Sequence, residues 1–172
     1  FVLGLGSQVK AHIVRRFGLK AGPMGPWMRD YVGAVRAVWD CWQNGTKLKF
    51  ESEHYNLDLM VPLFDSGPIE WSAPPIHIAA LNPYMCSVVG EVGDGLRPHP
   101  VCTPKFIKEV MMPAVEKGAA RSGRDPKNIS VVLRPMLATA PDEERLEARI
   151  RDIRARVAFY ASTPAYRPAF DI

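Results

Sequence analysis

The apolar positions change period several times along the chain. Residues 1–5, FVLGL, form an almost unbroken apolar run, as expected of a strand buried on both faces in a parallel sheet. A long loop then runs to about Pro26. From Trp27 to Gly45 the period turns helical: Met28, Val32, Val35, Trp39 and Trp42 share one stripe, and Asn44-Gly45 supplies a glycine stop. The tryptophans of that stripe read as core packing. LKFESEHYNLDL, residues 48–59, alternates partially about a polar centre and predicts a hairpin or exposed strand pair. Pro62, Pro68, Pro74 and Pro75 follow, so residues 46–75 form a hairpin and Pro-rich insertion.

IHIAAL, residues 76–81, is a second buried strand. NPYMCSVVGEVG predicts a helix capped by Asn82, with Pro83 at the first helical position, where no N–H is needed. Its apolar face is Met85, Val88, Val89 and Val92. Asp94-Gly95 turns the chain into a third strand, LRPHP. Thr103-Pro104 starts a helix to about Ser122, which Pro113 should kink or break. GRDPKN is a turn, and ISVVLRPMLATA, residues 129–140, a fourth strand with Arg134 inside it. Pro141 opens a last long helix, acidic in its first turn and arginine-rich later, in keeping with the helix dipole. Its buried face is Leu146, Ile150, Ile153 and Val157. Ser162 or Thr163 caps a further short helix at Pro164.

The order is therefore β-α, insertion, β-α, β-α, β-α. That is an α/β chain with a parallel sheet and helices outside it. Four units make half of an eight-stranded barrel or a small doubly wound sheet, and the repeat count does not choose between them.

Length and composition bound the rest. At 172 residues, 47% of them hydrophobic, the chain builds one domain with a real core. No apolar stretch approaches the roughly 18–20 residues that span a bilayer, and no secretory leader is visible. Cys41, Cys86 and Cys102 cannot all pair within the chain, and no CxxC spacing occurs, so reduced thiols in a cytoplasmic protein are expected. The net charge is only +4. Arg145, Arg149, Arg151, Arg154 and Arg156 are interleaved with Asp142, Glu143, Glu144, Glu147 and Asp152. They read as a solvated helix face, which argues against a nucleic-acid partner. Lys10, Arg15, Arg16 and Lys20 have few acids near them and are placed to meet an anion.

Candidate chemistry gathers at the strand ends. Gly4 and Gly6 start a GxGxxG pattern, but Val9 stands at its sixth position, so the fingerprint fails. Glycine at a strand end still admits a flat ring or phosphate close to the backbone, where parallel barrels bind ligands; a tight turn is the plainer reading. Ser7 and Gln8 follow the first strand. Ala79, Ala80, Leu81 and Asn82 follow the second, at a helix N-terminus suited to an anionic group. Arg97 and His99 follow the third. If the strands are parallel, all of these ring one mouth. His77 in IHI reads as an ordinary strand residue, whereas His12 and His99 sit in loops and are candidates for proton transfer or ligand contact. No histidine pair has metal-ligand spacing, so no metal is expected. Nucleophile elbow, phosphate loop and paired carboxylates are absent too, which points to a cofactor that carries the chemistry itself.

Several segments together resemble a known family: FVLGLGSQVKAHIVRRFG, MRDYVGAVRAVWDCW, PPIHIAALNPYMCSVVGEVGDG and AFYASTPAYRP. The resemblance is to the luciferase-like monooxygenase superfamily, in particular its deazaflavin branch of coenzyme F420-dependent oxidoreductases. It implies a (β/α)8 barrel of bacterial luciferase type, with the cofactor at the C-terminal mouth. It also implies a homo-oligomer acting on a small molecule, with no nucleic-acid or membrane partner. Hydride would move between coenzyme F420 and a small organic substrate. Relatives that use FMN and oxygen make an FMN-dependent monooxygenase the alternative; the absence of a clear general acid or base makes a non-catalytic cofactor-binding or assembly protein a third.

Matched to the family, Phe1 falls at the fourth barrel strand, so the chain is expected to be a partial barrel of about four βα units, lacking the first three and the end. Gly6, Ser7 and Gln8 resemble the segment that approaches the cofactor. Ala79, Ala80, Leu81, Asn82 and Pro83 resemble the strand end and helix start that meet its phosphate. Asp94-Gly95 resembles the turn into the next strand, with Gly93 where alanine is usual. Lys10, His12, Arg15, Arg16, Arg97 and His99 are expected contacts for an anion or substrate. The resemblance assigns no catalytic residue.

Overall fold

Short apolar runs separated by helices give a layered arrangement in the computed structural model, which describes residues 1–172. The strands are β1 (Leu3–Leu5), β2 (Phe50–Glu51), β3 (Asn56–Leu57), β4 (Ile76–Ala80), β5 (Gly95–Pro98) and β6 (Ser130–Val131). The helices are α1 (Met24–Asn44), α2 (Pro83–Val92), α3 (Pro104–Phe106), α4 (Met112–Arg121) and α5 (Glu143–Ala161). Four strands form one parallel sheet in the order β1-β4-β5-β6. β2 and β3 pair antiparallel as the expected hairpin.

Side chains alternate across the sheet because successive Cβ atoms point to opposite faces. Ile76, Ile78, Ala80 and Leu96 face the helices and join the core with Met28, Val32, Met85, Val88, Val89, Phe106, Met111 and Val115; Leu3 and Leu5 pack against it. His77, Ala79 and Arg97 lie on the other face, which no helix covers. We call it the open face.

α2 holds because its signals agree. The Asn82 side chain accepts from Met85 N–H at 2.8 Å, and Pro83 occupies the first turn. α2 and α4 then approach backbone to backbone. A Cβ on Gly118 would stand 1.9 Å from the Ser87 carbonyl oxygen, and one on Gly90 2.1 Å from that of Val115. α1 ends at Gly45, whose φ of 63° requires the left-handed region that glycine adopts freely.

Asp94 ties three elements together at the start of the strands. Its carboxylate accepts Arg36 Nη2 at 2.8 and 2.9 Å, Arg124 Nη2 at 3.2 Å and the Ile76 N–H at 2.8 Å. All three cysteines are free and buried, and burial pushes the Cys86 thiol up to about 12. No helix is long and apolar enough to cross a membrane.

Several expectations are corrected. The loop before α1 contains a π-helical turn, His12–Arg16, anchored by the one buried residue Ile13, and α1 starts at Met24 rather than Trp27. The α-helical pattern is interrupted before Pro113 without the helix ending. A π turn, Ile107–Met111, absorbs the mismatch, so that Pro113 falls in the first turn of α4. The fourth strand is only Ser130–Val131, because β6 is an edge strand with β5 on one side alone; Arg134 lies beyond it, exposed. α5 starts at Glu143 rather than at Pro141, and Asp142 caps it, accepting from Arg145 N–H at 2.9 Å. The stripe Leu146, Ile150, Ile153 and Val157 is half-buried rather than buried. The hydroxyls of Ser162 and Thr163 bond back to the Phe159 carbonyl and leave the last helical turns, Pro164–Ala169, uncapped by a side chain.

Candidate functional site

Parallel pairing brings the ends of all four strands to one side of the sheet, and the register sets out rows across the open face. The lower row is Gly4, His77, Gly95 and Ser130. The row above it holds Ala79 and Arg97 in register, with Gly6 beside Ala79: a Cβ on Gly6 would meet Ala79 Cβ at 3.5 Å, an ordinary contact. A Cβ on Gly4 would meet nothing within 4 Å. Gly4, Gly6 and Ala79 are exposed, so this part of the face is bare backbone and one methyl group.

Beside that shelf, α2 begins. The first intrahelical bond is Cys86 N–H to the Asn82 carbonyl, and Asn82 itself satisfies Met85 N–H. Pro83 has no N–H, so Tyr84 N–H is left without a helical acceptor at the positive end of the helix. Leu81 is buried beneath, while Asn82 and Pro83 are exposed. The structure thus sets Gly6 and Ala79 side by side, with Ala80, Leu81, Asn82 and Pro83 adjoining.

Ser7 and Gln8 turn toward a different space. With Leu5 and Gly6 they line an open cavity of about 520 Å3 under the β1–α1 loop, with Ile13, Phe17, Leu19, Lys20, Met24, Trp27, Met28, Tyr31 and Tyr55 around it. Gln8 holds a positive φ of 60°, uncommon outside glycine, which bends the chain over the cavity. Trp27 donates from Nε1 to the Tyr55 hydroxyl at 2.9 Å, and stacks on His54 at 5.6 Å. His54 Nδ1 lies 2.6 Å from Asp30. Burial pushes the Asp30 carboxyl up, and hydrogen bonds from His54 and Ser52 outweigh it, leaving it below its ordinary value. The hairpin is therefore fastened over the N-terminal half of α1. None of these aromatic contacts was singled out in the sequence. Trp27 and Tyr31 at helical i, i+4 spacing were the available signal.

The basic cluster does not converge. Lys10, His12, Arg15 and Arg16 are exposed, with Arg16 lying 5.4 Å over the Phe17 ring, and only Lys20 reaches the cavity. Arg97 lies within β5 rather than after it. His99 follows that strand and packs in an aromatic cluster, 4.5 Å from Tyr160 and 4.3 Å from Tyr166. Its Nδ1 accepts from Val101 N–H at 3.4 Å, and burial lowers its pKa.

His77 is not the ordinary strand residue expected. It is 6% exposed and bonded at both nitrogens, to Arg97 Nε at 3.1 Å and Ser130 Oγ at 3.1 Å. Gly95 makes room for it, since a Cβ there would stand 2.5 Å from the imidazole. Burial first, and the Arg97 charge second, lower its pKa; Asp94 opposes them.

Comparison with known proteins agrees with this architecture. An uncharacterised protein of Mycobacterium tuberculosis is 42% identical over 170 residues, covering 99% of this chain and 50% of its own length. The F420-dependent glucose-6-phosphate dehydrogenase of Mycobacterium leprae is 29% identical over 128 residues, 72% of this chain and 34% of the relative. Among solved structures, the coenzyme F420-dependent tetrahydromethanopterin reductase of Methanopyrus kandleri superposes with a TM-score of 0.62 at 22% identity, over 83% of this chain and 43% of its own. An F420-dependent secondary alcohol dehydrogenase in complex with an F420-acetone adduct gives 0.59 at 22% identity, over 77% and 38%. The chain spans about half the length of the curated relatives to which it is 42% identical. The likeness in fold decides between the two architectures left open: the four βα units are of the luciferase-like barrel type, not a doubly wound sheet. A family model described as luciferase-like monooxygenase matches residues 1–169, and the chain belongs to that family.

Proposed function

We propose that this chain contributes to an oxidoreductase that moves hydride between deazaflavin coenzyme F420 and a small organic substrate. The observation that carries the reading is the bare shelf of Gly4, Gly6 and Ala79 at the strand ends, beside the start of α2. The shelf passes a simple test of fit. A flat ring needs backbone without side chains beneath it, and each Cβ that would rise there is missing or is a single methyl. An anionic group needs N–H donors and a positive end, which the first turn of α2 offers around Tyr84. The choice of F420 rests on the named relatives.

In this reading Gly6 and Ala79 set how closely the ring approaches, and Asn82 holds the helix start rigid by spending its side chain on Met85 N–H. When bound, the coenzyme supplies the hydride-transfer chemistry. The second reading, an FMN-dependent monooxygenase, is favoured by the description of the matched family.

The test is a titration of the purified chain with oxidised F420 beside FMN. Saturable binding of F420 supports the proposal, and FMN binding alone replaces it with the second reading. Binding of neither refutes both for this chain. Gly6→Leu, which places a branched side chain on the shelf, is expected to weaken F420 binding at least tenfold with an unchanged melting temperature.

A further inference from the structure

One cation on the open face has no carboxylate partner within this chain. Arg29, Arg36, Arg121 and Arg124, which surround the sheet and helices, are all engaged by Glu91 or Asp94. Arg97 is half-buried, and the one hydrogen bond of its side chain within the chain runs from Nε to His77 Nδ1. Its two terminal nitrogens have no protein acceptor.

The contacts fix the direction of every proton in this chain of groups. Arginine only donates, so His77 Nδ1 is the acceptor and the ring proton sits on Nε2. Nε2–H then donates to Ser130 Oγ at 3.1 Å, and the Ser130 hydroxyl donates to the Asp94 carbonyl at 3.3 Å. Gly95 leaves the space in which the imidazole lies across β5. The guanidinium is thus clamped at Nε, on a residue in register with Ala79 of the bare row, and its terminal nitrogens meet no acceptor of this chain. A planar fork oriented this way matches the two oxygens of an oxyanion.

We propose that Arg97, oriented by His77 and Ser130, binds the carboxylate or phosphate of a ligand lying over Gly6 and Ala79. The inference rests on the reading of the open face as the ligand-binding face, but not on which cofactor binds there. His77 and Ser130 are positioning residues. The groups that face His77 are Gly4 from β1, Arg97 from β5, Ser130 from β6 and the Asp94 carboxylate from the turn before β5; the helices pack on the other side of the sheet. An anion on Arg97 offsets the charge that helps to hold His77 neutral, so its binding is felt by the imidazole.

Proton NMR of the histidine rings reads this directly, because the chain has only four histidines. His77→Gln assigns the signal. Inorganic phosphate and acetate are titrated separately into the chain without coenzyme, so a failed F420 titration and a failed anion titration stay distinct. Saturable movement of the His77 signal is expected, with its titration midpoint raised by about half a pH unit. A response to phosphate alone assigns a phosphate-bearing ligand, and one to acetate alone a carboxylate. In Arg97→Gln the midpoint is expected to lie higher from the outset and the response to vanish, with the signals of the packed His54 and His99 reporting a folded chain. Ser130→Ala keeps the charge but frees the imidazole, and is expected to weaken the anion several-fold. No response to either anion in the unmodified chain, or a response that persists in Arg97→Gln, overturns the proposal.

Discussion

Gly118→Ala adds one methyl group where α2 and α4 have no room for it. The new Cβ would stand 1.9 Å from the Ser87 carbonyl oxygen and 2.7 Å from its carbon. An unstrained carbon–oxygen contact is about 3.3 Å or more, so the helices must part by over an ångström. The obstacle is backbone, and no change of rotamer relieves it. Parting the helices loosens Val88, Val89, Val115 and Ala119, all at 0% exposure. A gap of roughly 0.5–1 Å already forfeits a quarter to a half of each dispersion contact. Overpacking of this kind costs about 1–3 kcal/mol, and the rigid obstacle places it at the upper end. Better helix propensity returns about 1 kcal/mol. The net is a loss of about 2 kcal/mol, or roughly 4–8 °C in melting temperature for a chain of this size. Thermal and urea unfolding followed by circular dichroism measure it, with Gly4→Ala as control, since a Cβ there meets nothing within 4 Å. A Gly118→Ala variant that melts within a degree of the unmodified chain refutes the reasoning about the helix seam.

Three further outcomes are expected. Gly95→Ala places a Cβ 2.5 Å from the His77 ring and 2.6 Å from Ser130 Oγ, so His77 leaves its partners and its midpoint rises toward the ordinary value of 6.5; an unmoved ring signal counts against the relay. His77 and His99 titrate below 6.5 in the folded chain because burial disfavours their charged forms, so the unfolded chain binds more protons as pH falls. Their contribution is complete above about 6.5 and is lost as pH drops from there through the lowered folded values. The urea midpoint is therefore expected to fall between pH 7.5 and 5.5, less steeply in His77→Gln. Asn82→Ala removes the cap on Met85 N–H and is expected to cost about 1 kcal/mol, while Asn82→Asp, which keeps the acceptor, restores most of it in the same unfolding assay.

Local signals carried what was legible in the sequence. Asn82-Pro83 and Thr103-Pro104 mark helix starts because cap and proline act within one turn, and both hydroxyl or amide caps form. The hairpin and the strand at Ile76 were readable from alternation and an apolar run. The fourth strand was not, because a strand is defined by its neighbour. Residues 129–133 have strand composition and Pro135 limits the run, yet only Ser130–Val131 pair with β5. The stripe on α5 was located correctly, but spacing says which side is apolar and not how much covers it. The candidate site divides in the same way. Glycines at strand ends could be read singly, whereas His77 meets Arg97 and Ser130 across 20 and 53 residues of sequence, and no motif spacing encodes that.

The two rows of the open face differ in kind, and that difference is the strongest structural argument about function. Barrel interiors are filled in layers, mostly by bulky branched side chains, and act as packed cores. Here the lower row spans four strands as Gly4, His77, Gly95 and Ser130, with one imidazole laid over a glycine and both its nitrogens satisfied. It is a polar floor that costs little because every donor and acceptor in it is matched. The row above is the next layer, to which this chain, about half the length of its relatives, contributes only the share of its own four strands. It offers Gly6, Ala79 and a single arginine held from below. The guanidinium is half-solvated and held at Nε by the buried His77, whose other nitrogen meets Ser130 at the exposed edge strand. The arrangement has a physical rationale when something flat and anionic occupies the upper row. The helix seam shows the converse use of glycine, where Gly90 and Gly118 remove side chains so that backbone itself fills the space.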